Sequence, residues 1–187
     1  MENKTMMKLI VGTEAMFFLC LIMAFVYLSF VSGFSPGEQQ QLSIRSTGLF
    51  SMALFCSSGT FWLAERNYNS GNFKNLKRWL SVTILLGIVF LFGQGREYMH
   101  LLQEEQIKIS NSLFGTAFYT VTGFHGLHVV IGLIILLVLL SMIIAGDFNH
   151  GRSSVIRTAG IYWHFVDVVW LAVFTVIYIL PRLNLLK

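Results

Sequence analysis

Five long apolar runs restrict this chain to folds that place most of its length inside a lipid bilayer. The runs cover residues 9–32, 46–64, 79–102, 113–145 and 158–180, and each is at least 19 residues long. A bilayer core about 30 Å thick needs roughly 20 apolar residues in a helix that rises about 1.5 Å per residue. Transmembrane barrels instead use shorter, alternating segments. The sequence predicts an all-α integral membrane bundle of five transmembrane helices.

The composition also argues against a soluble fold. Hydrophobic residues make up 55% of the chain and charged residues only 12%, and the mean hydropathy is +0.69. Soluble domains carry about 25% charged residues, so a soluble fold of this chain could not cover its surface. Because the segments between the apolar runs are short, we expect one membrane domain over residues 1–187.

The lysine and arginine residues predict an orientation in the membrane. Although the net charge is +4, these residues lie between the apolar runs and form no stripe, so we expect no nucleic-acid partner. Cytoplasmic loops of membrane proteins carry the excess of Lys and Arg. The N-terminus is therefore expected in the cytoplasm and the C-terminus outside. The cytoplasmic set is Lys4, Lys8, Arg66, Lys74, Lys77, Arg78, Arg152 and Arg157, and the outer set is Arg45, Lys108, Arg182 and Lys187.

Ionisable side chains interrupt the apolar runs, several of them at a spacing of three residues. Residues three apart lie on one face of a helix. A charged group at the bilayer centre costs at least about 2.5–3.5 kcal/mol, so we expect these side chains to face the bundle interior and to pair with one another. The set consists of Glu14, Glu97, His100, His125, His128, His164 and Asp167.

Depth along the spans separates these side chains into two predicted levels. Counting about 1.5 Å per residue places Glu14 with the His164–Asp167 pair on an inner level. Glu97, His100 and both histidines of the fourth run fall on an outer level. The E-x-x-H unit that begins at Glu97 resembles half of a di-iron site, but neither level contains two such units. We therefore predict no metal ligand, no haem ligand and no catalytic residue, and we assign these groups to a structural network or a lipid cleft. A proton relay and a stand-alone E-x-x-H metalloenzyme are the alternatives.

Small residues and tryptophans predict where the helices pack closely. Small side chains allow helix backbones to approach, and hydroxyl groups can donate hydrogen bonds across the contact. Trp163 and Trp170 are expected to pack inside the bundle or against a partner. The small residues expected at helix contacts are Gly123, Gly126, Gly132, Ser57, Ser58 and Gly59.

Several segments together resemble subunit III of the haem-copper terminal oxidases, the cytochrome c and quinol oxidase complexes. The segments "TGFHGLHVVIG" and "YWHFVDVVWLAVFTVIY" carry most of the resemblance. In addition, "GTEAMFFLCLIMAF" is similar to the S-E-x-x-F-F helix of that family, and "GQGREYMHLL" is similar to its Q-x-x-E-Y segment. The resemblance covers nearly the whole chain and is to the five-helix bacterial form.

The resemblance implies a non-catalytic subunit of a respiratory oxygen reductase in the inner (plasma) membrane of a bacterium. Such a subunit packs directly against subunit I, in a complex that also contains subunit II and other respiratory subunits. Haem and copper belong to those partners, and no cofactor is expected in this chain. The family also binds phospholipid in a cleft between its helices and supports proton uptake and the lifetime of the complex during turnover.

The resemblance also assigns roles to individual positions. Glu14 matches a buried, carbodiimide-sensitive glutamate of the family. A five-helix relative associated with nitric oxide reductases is the alternative within the family, and the choice of cytochrome c or quinol as electron donor lies on other subunits. Structural and lipid-cleft roles are implied for Glu97, His125, His128, Trp163, His164 and Asp167.

Overall fold

The computed structural model describes residues 2–32, 34, 41–104, 106–107, 109, 112–146 and 153–183. These residues form helices and connecting turns, and no strand occurs among them. Five of the helices are long and apolar enough to cross a membrane, which confirms the predicted fold. The helices are α1 (Glu2–Ser32), α2 (Ile44–Asn69), α3 (Phe73–Gln103), α4 (Leu113–Ala145) and α5 (Ser153–Phe174).

Three basic residues of the orientation argument, Lys108, Arg152 and Lys187, lie outside the described residues. The cytoplasmic position of the N-terminus therefore stays a prediction.

The helices extend beyond the apolar runs that predicted them. Helix α1 begins at Glu2 and not at residue 9, and α2 continues to Asn69. The predicted connection over residues 65–78 is wrong, because only residues 70–72 separate α2 from α3. Polar residues continue the helical hydrogen bonds outside the hydrocarbon, where hydropathy gives no signal. Gly71 permits the tight turn with φ of 73°.

Helix α5 lies at the centre of the bundle, in contact with α1, α2 and α4, while α2 and α3 form an antiparallel pair. The indole rings of Trp163 and Trp170 are fully buried, as predicted. Trp163 Nε1 donates a hydrogen bond to Ser57 Oγ at 3.0 Å, and Trp170 Nε1 donates to Ser51 Oγ at 2.8 Å. These two bonds fix the rotation of α5 against α2.

Glycine permits the closest approaches between helices. A Cβ atom at Gly132 of α4 would lie 2.9 Å from the ring of Trp163, and one at Gly87 of α3 would lie 3.0 Å from the same ring. The indole therefore packs between two glycine surfaces. A Cβ atom added at Gly126 or at Gly59 would have no neighbouring atom within 4 Å. The sequence-based prediction of close packing is thus confirmed for Gly132 and wrong for these two residues.

The last span ends in non-standard helical turns. A π-helix, Thr175–Ile179, follows α5 directly, and a 3₁₀ turn, Pro181–Leu183, follows the π-helix. The amide of Leu180 donates to the carbonyl of Thr175 at 2.9 Å, which closes the wide turn. Tyr178 is one of the two buried residues of the π-helix.

Gly93 offers a direct test of the packing between α2 and α3. A Cβ atom at this position would overlap the ring of Phe50, so we expect Gly93→Ala to lower the free energy of unfolding by about 1–3 kcal/mol. Denaturant unfolding in detergent micelles measures the change. Gly95→Ala is the matched control, since nothing lies within 4 Å of its added methyl group. Equal stability of the two variants would contradict the close contact.

Candidate functional site

A carboxyl group on α1 meets an imidazole on α4 within the membrane-spanning part of the bundle. Glu14 Oε2 lies 3.0 Å from His128 Nε2, and the two side chains are 34% and 11% exposed. His128 Nδ1 lies 2.7 Å from the carbonyl oxygen of Phe124. Because a carbonyl oxygen only accepts, Nδ1 carries the proton of that bond. The contact with Glu14 then needs a second proton, held by either the carboxyl group or the imidazole.

Aromatic side chains surround this Glu14–His128 pair. The Phe18 ring packs edge-on against His128, with 4.9 Å between the ring centroids. Tyr162 of α5 donates its hydroxyl proton to the carbonyl oxygen of His128 at 3.2 Å. The pair is thus held by α1, α4 and α5 together, with the carboxyl group partly open at the edge of the bundle.

A second polar contact joins α2 to α5. Ser58 Oγ lies 2.7 Å from His164 Nδ1 and donates a short hydrogen bond to Asp167 Oδ2. Since the hydroxyl proton is used on the carboxylate, the imidazole donates to Ser58. This direction is opposite to that in a Ser-His-Asp triad, where the imidazole removes the serine proton. The arrangement therefore joins two helices and does not activate a nucleophile.

His125 is buried without a hydrogen bond. Its side chain is 1% exposed and stacks on Trp170 with ring centroids 4.7 Å apart. Neither ring nitrogen has a hydrogen-bond partner among the described residues. The expectation that the ionisable groups pair with one another is therefore wrong for His125.

Glu97 and His100 engage different partners although they lie one turn apart. Glu97 Oε1 accepts a hydrogen bond from the backbone amide of Ser43 at 2.9 Å, whereas His100 Nε2 lies 3.2 Å from Glu104 Oε2. The E-x-x-H unit does not converge on one point. Among the described residues, no group of three or more His, Cys, Asp or Glu side chains is placed to hold a metal ion.

The predicted division into two levels is wrong for His128, which contacts Glu14 of the other level. The depth count began at residue 9, whereas α1 begins at Glu2 and places Glu14 about 18 Å along the helix. Helix α4 has 33 residues and is about 50 Å long, so its ends extend beyond a bilayer core of about 30 Å. Depths counted from such an end are too large.

Serines are the functional partners that sequence reasoning mostly missed. Ser58 and Ser57 were predicted at a helix contact, but their partners were not, and Ser51 was not predicted at all. Ser43 acts through its backbone amide, which no residue type reveals. The only signal in the sequence was the seven-residue spacing of Ser51 and Ser58, which places both on one face of a helix within an apolar run.

Comparison with known proteins assigns nearly the whole chain to one family. The family model described as cytochrome c oxidase subunit III matches residues 3–181. The chain belongs to the cytochrome c oxidase subunit III family. This match confirms the resemblance found in the sequence motifs, and it agrees with a membrane protein that crosses the bilayer several times.

Relatives in this family cover most of the chain. A probable cytochrome c oxidase subunit 3 from Nocardia farcinica is 38% identical over 168 residues, which are 89% of this chain and 82% of the relative. Cytochrome c oxidase subunit 3 from Synechocystis is 34% identical, with 89% and 71% covered. The corresponding protein from Alkalihalophilus pseudofirmus is 32% identical, with 90% and 82% covered.

Ser58 provides a test of the contact between α2 and α5. Ser58→Ala leaves His164 Nδ1 and Asp167 Oδ2 without the hydroxyl group that joins them, and we expect a loss of about 1–3 kcal/mol in the free energy of unfolding. Ser81→Ala is the control, because that exposed hydroxyl bonds only to Lys77 O of its own helix. The measurement is denaturant unfolding in micelles. If both variants are as stable as the unmodified chain, Ser58 does not join the helices.

Proposed function

We propose that this chain is the non-catalytic subunit III of a respiratory haem-copper oxygen reductase in a bacterial inner membrane. It packs directly against subunit I, in a complex with subunit II, and those partners hold the haem and copper. The family match supports this proposal. The side-chain contacts support it further, because the ionisable groups in the spans make contacts between helices. This set consists of Glu14, His128, His164 and Asp167.

Phospholipid binding is the first contribution that we propose for the subunit. An apolar cavity of about 390 Å³ lies between α1, α4 and α5, and its wall is almost entirely hydrocarbon. A wall of this kind suits an acyl chain, because apart from Thr158 its lining residues are apolar and offer little to a polar headgroup. Residues of the wall include Met7, Ile135, Val138, Met142, Val155 and Ala159.

The residues assigned to the lipid cleft from the sequence do not line this cavity. None of Glu14, Glu97, His125, His128, Trp163, His164 and Asp167 occurs in its wall. Their role at a lipid stays a prediction. For His164 and Asp167, the hydrogen bonds to Ser58 favour a role in helix packing instead. Glu14 lies two turns beyond Met7 on α1 and is partly exposed, so a lipid next to α1 could still reach it.

Support of proton uptake is the second contribution that we propose. The contact between Glu14 and His128 requires a shared proton, since His128 Nδ1 already donates to Phe124. A pair that holds an exchangeable proton at the edge of a membrane subunit can accept a proton and pass it to a partner surface. The partly exposed carboxyl group of Glu14 is the end of the pair that faces such a partner.

Two alternative functions make different predictions about the purified protein. A subunit associated with nitric oxide reductase would co-purify with that catalytic subunit, and a stand-alone E-x-x-H metalloenzyme would contain stoichiometric metal. Purification in mild detergent, followed by mass spectrometry of the partners and metal analysis, distinguishes all three. Co-purification with oxygen-reductase subunits I and II supports the proposal, and stoichiometric iron in the isolated chain would overturn it.

Glu14→Gln tests the proton contribution. The amide cannot ionise or share a proton in the way a carboxyl group does, but it preserves the shape of the side chain. We expect normal assembly and an oxidase that inactivates after fewer turnovers, measured as oxygen consumption over time. Glu104→Gln is the control, because Glu104 is 69% exposed and follows the last residue of α3, a helix that contributes neither residue of the pair. An unchanged lifetime would show that Glu14 does not serve proton uptake.

Val138→Trp tests the lipid cavity. The larger side chain occupies the space of an acyl chain, so we expect native mass spectrometry to detect fewer phospholipids bound to the complex. Val130→Trp is the matched control, since Val130 is similarly exposed on α4 and does not line the cavity. Equal lipid counts for the two variants would rule out the cavity as the binding site.

A further inference from the structure

Four buried polar side chains meet where the π-helix packs against α2 and α3. Thr47 comes from α2, Gln94 and Glu97 come from α3, and Tyr178 comes from the π-helix. Their exposed fractions are only 3%, 5%, 4% and 1%. None of the helix contacts described above accounts for this outer polar cluster of Thr47, Gln94, Glu97 and Tyr178.

The outer polar cluster lacks most of the hydrogen bonds that its atoms require. Tyr178 lies close enough to interact with Thr47 and Gln94, yet its hydroxyl group makes no hydrogen bond of normal geometry among the described residues. Both amide atoms of Gln94 and the hydroxyl group of Thr47 are likewise without one. Buried polar atoms in folded proteins nearly always have a partner. These unpartnered atoms therefore indicate a small polar ligand among the four side chains.

Glu97 adds an uncompensated acidic group to the cluster. It accepts a hydrogen bond from the amide of Ser43 and lies close enough to interact with the hydroxyl group of Thr47. No Lys or Arg nitrogen lies within 4 Å of it among the described residues. His100, one turn further along α3, is engaged with Glu104. An anion buried without a counter-charge is strongly unfavourable within a membrane. A proton on the carboxyl group removes that charge.

We propose that the outer polar cluster is an internal water-binding site in which Glu97 carries a proton. Water both donates and accepts hydrogen bonds, which suits the hydroxyl groups of Thr47 and Tyr178 and the two amide atoms of Gln94. A metal cation would satisfy only the oxygen atoms and would leave Gln94 Nε2 without an acceptor. An anion would have no Lys or Arg side chain within 4 Å of Glu97 to balance its charge among the described residues.

The helix geometry at Tyr178 gives independent support for a ligand site. π-Helical turns are rare and occur frequently at functional sites. Here the five-residue π-helix widens the last part of the span, and it contains Tyr178 of the outer polar cluster.

His100 connects the cluster with the aqueous surface at the same end of α3. It follows Glu97 by one turn, its Nδ1 atom is buried without a hydrogen bond, and its Nε2 atom contacts the exposed carboxyl group of Glu104. This is the side from which we expect water and protons to enter the site.

The position of the bound water can be observed directly in a map of the purified full-length protein, together with the subunits that co-purify with it, at a resolution that resolves water. We expect density within hydrogen-bond distance of Tyr178 Oη and the Gln94 amide, and we expect this density to weaken in Tyr178→Phe. Direct pairing of the four side chains, with no density between them, would overturn the proposal. So would a thallium or rubidium anomalous peak at the site, which would identify a monovalent cation.

The proton on Glu97 has its own spectroscopic test. The infrared spectrum of the same sample should contain a carboxylic-acid C=O band that shifts in D₂O and disappears in Glu97→Gln. The exposed Glu104→Gln variant is the control and should keep the band. A band unchanged by Glu97→Gln would refute the protonated carboxyl group. Neither measurement depends on which catalytic subunit co-purifies, so failure of the proposed function would leave both results interpretable.

Discussion

The structure depends on one constraint: inside hydrocarbon, a polar side chain finds its partner in the protein or not at all. Two contacts between helices satisfy this constraint with different polar groups. Glu14 and His128 join α1 to α4, and Ser58 joins His164 and Asp167 across α2 and α5. These contacts specify which helix faces meet, because any other arrangement would leave the same groups facing acyl chains.

Close packing between helices adds dispersion contacts to the hydrogen bonds of the polar side chains. In lipid there is no hydrophobic driving force between helices, so association rests on dispersion contacts and on hydrogen bonds. The indole of Trp163 combines both, since it packs between glycine surfaces of α3 and α4 and donates to Ser57 of α2. One side chain of α5 thereby sets the distances to three neighbouring helices.

The number and type of the helices were predictable because hydrocarbon imposes a minimum apolar length, which is visible in the sequence. The interior positions of Trp163 and Trp170 were predictable because both residues lie within the last apolar run and not at its ends, where tryptophans contact the membrane interface. The pairing of Glu14 with His128 was not, because depth counts assume that an apolar run begins and ends at the bilayer surface, and the 33-residue run of α4 is longer than the bilayer core. The isolation of His125 and the role of the Ser43 amide depend on three-dimensional neighbours, so no pattern of residue types could reveal them.

The attachment of α1 has a consequence for biosynthesis. Among the described residues, the main contacts of helix α1 are with α4 and α5. Glu14 and His128 are 114 residues apart along the chain. At a synthesis rate of about 5–20 residues per second, that interval lasts on the order of 6–23 s. During this time the first helix resides in the membrane or its insertion machinery with an unpartnered carboxyl group. The long apolar run of α1, Thr5–Val31, retains it there until the fourth helix emerges.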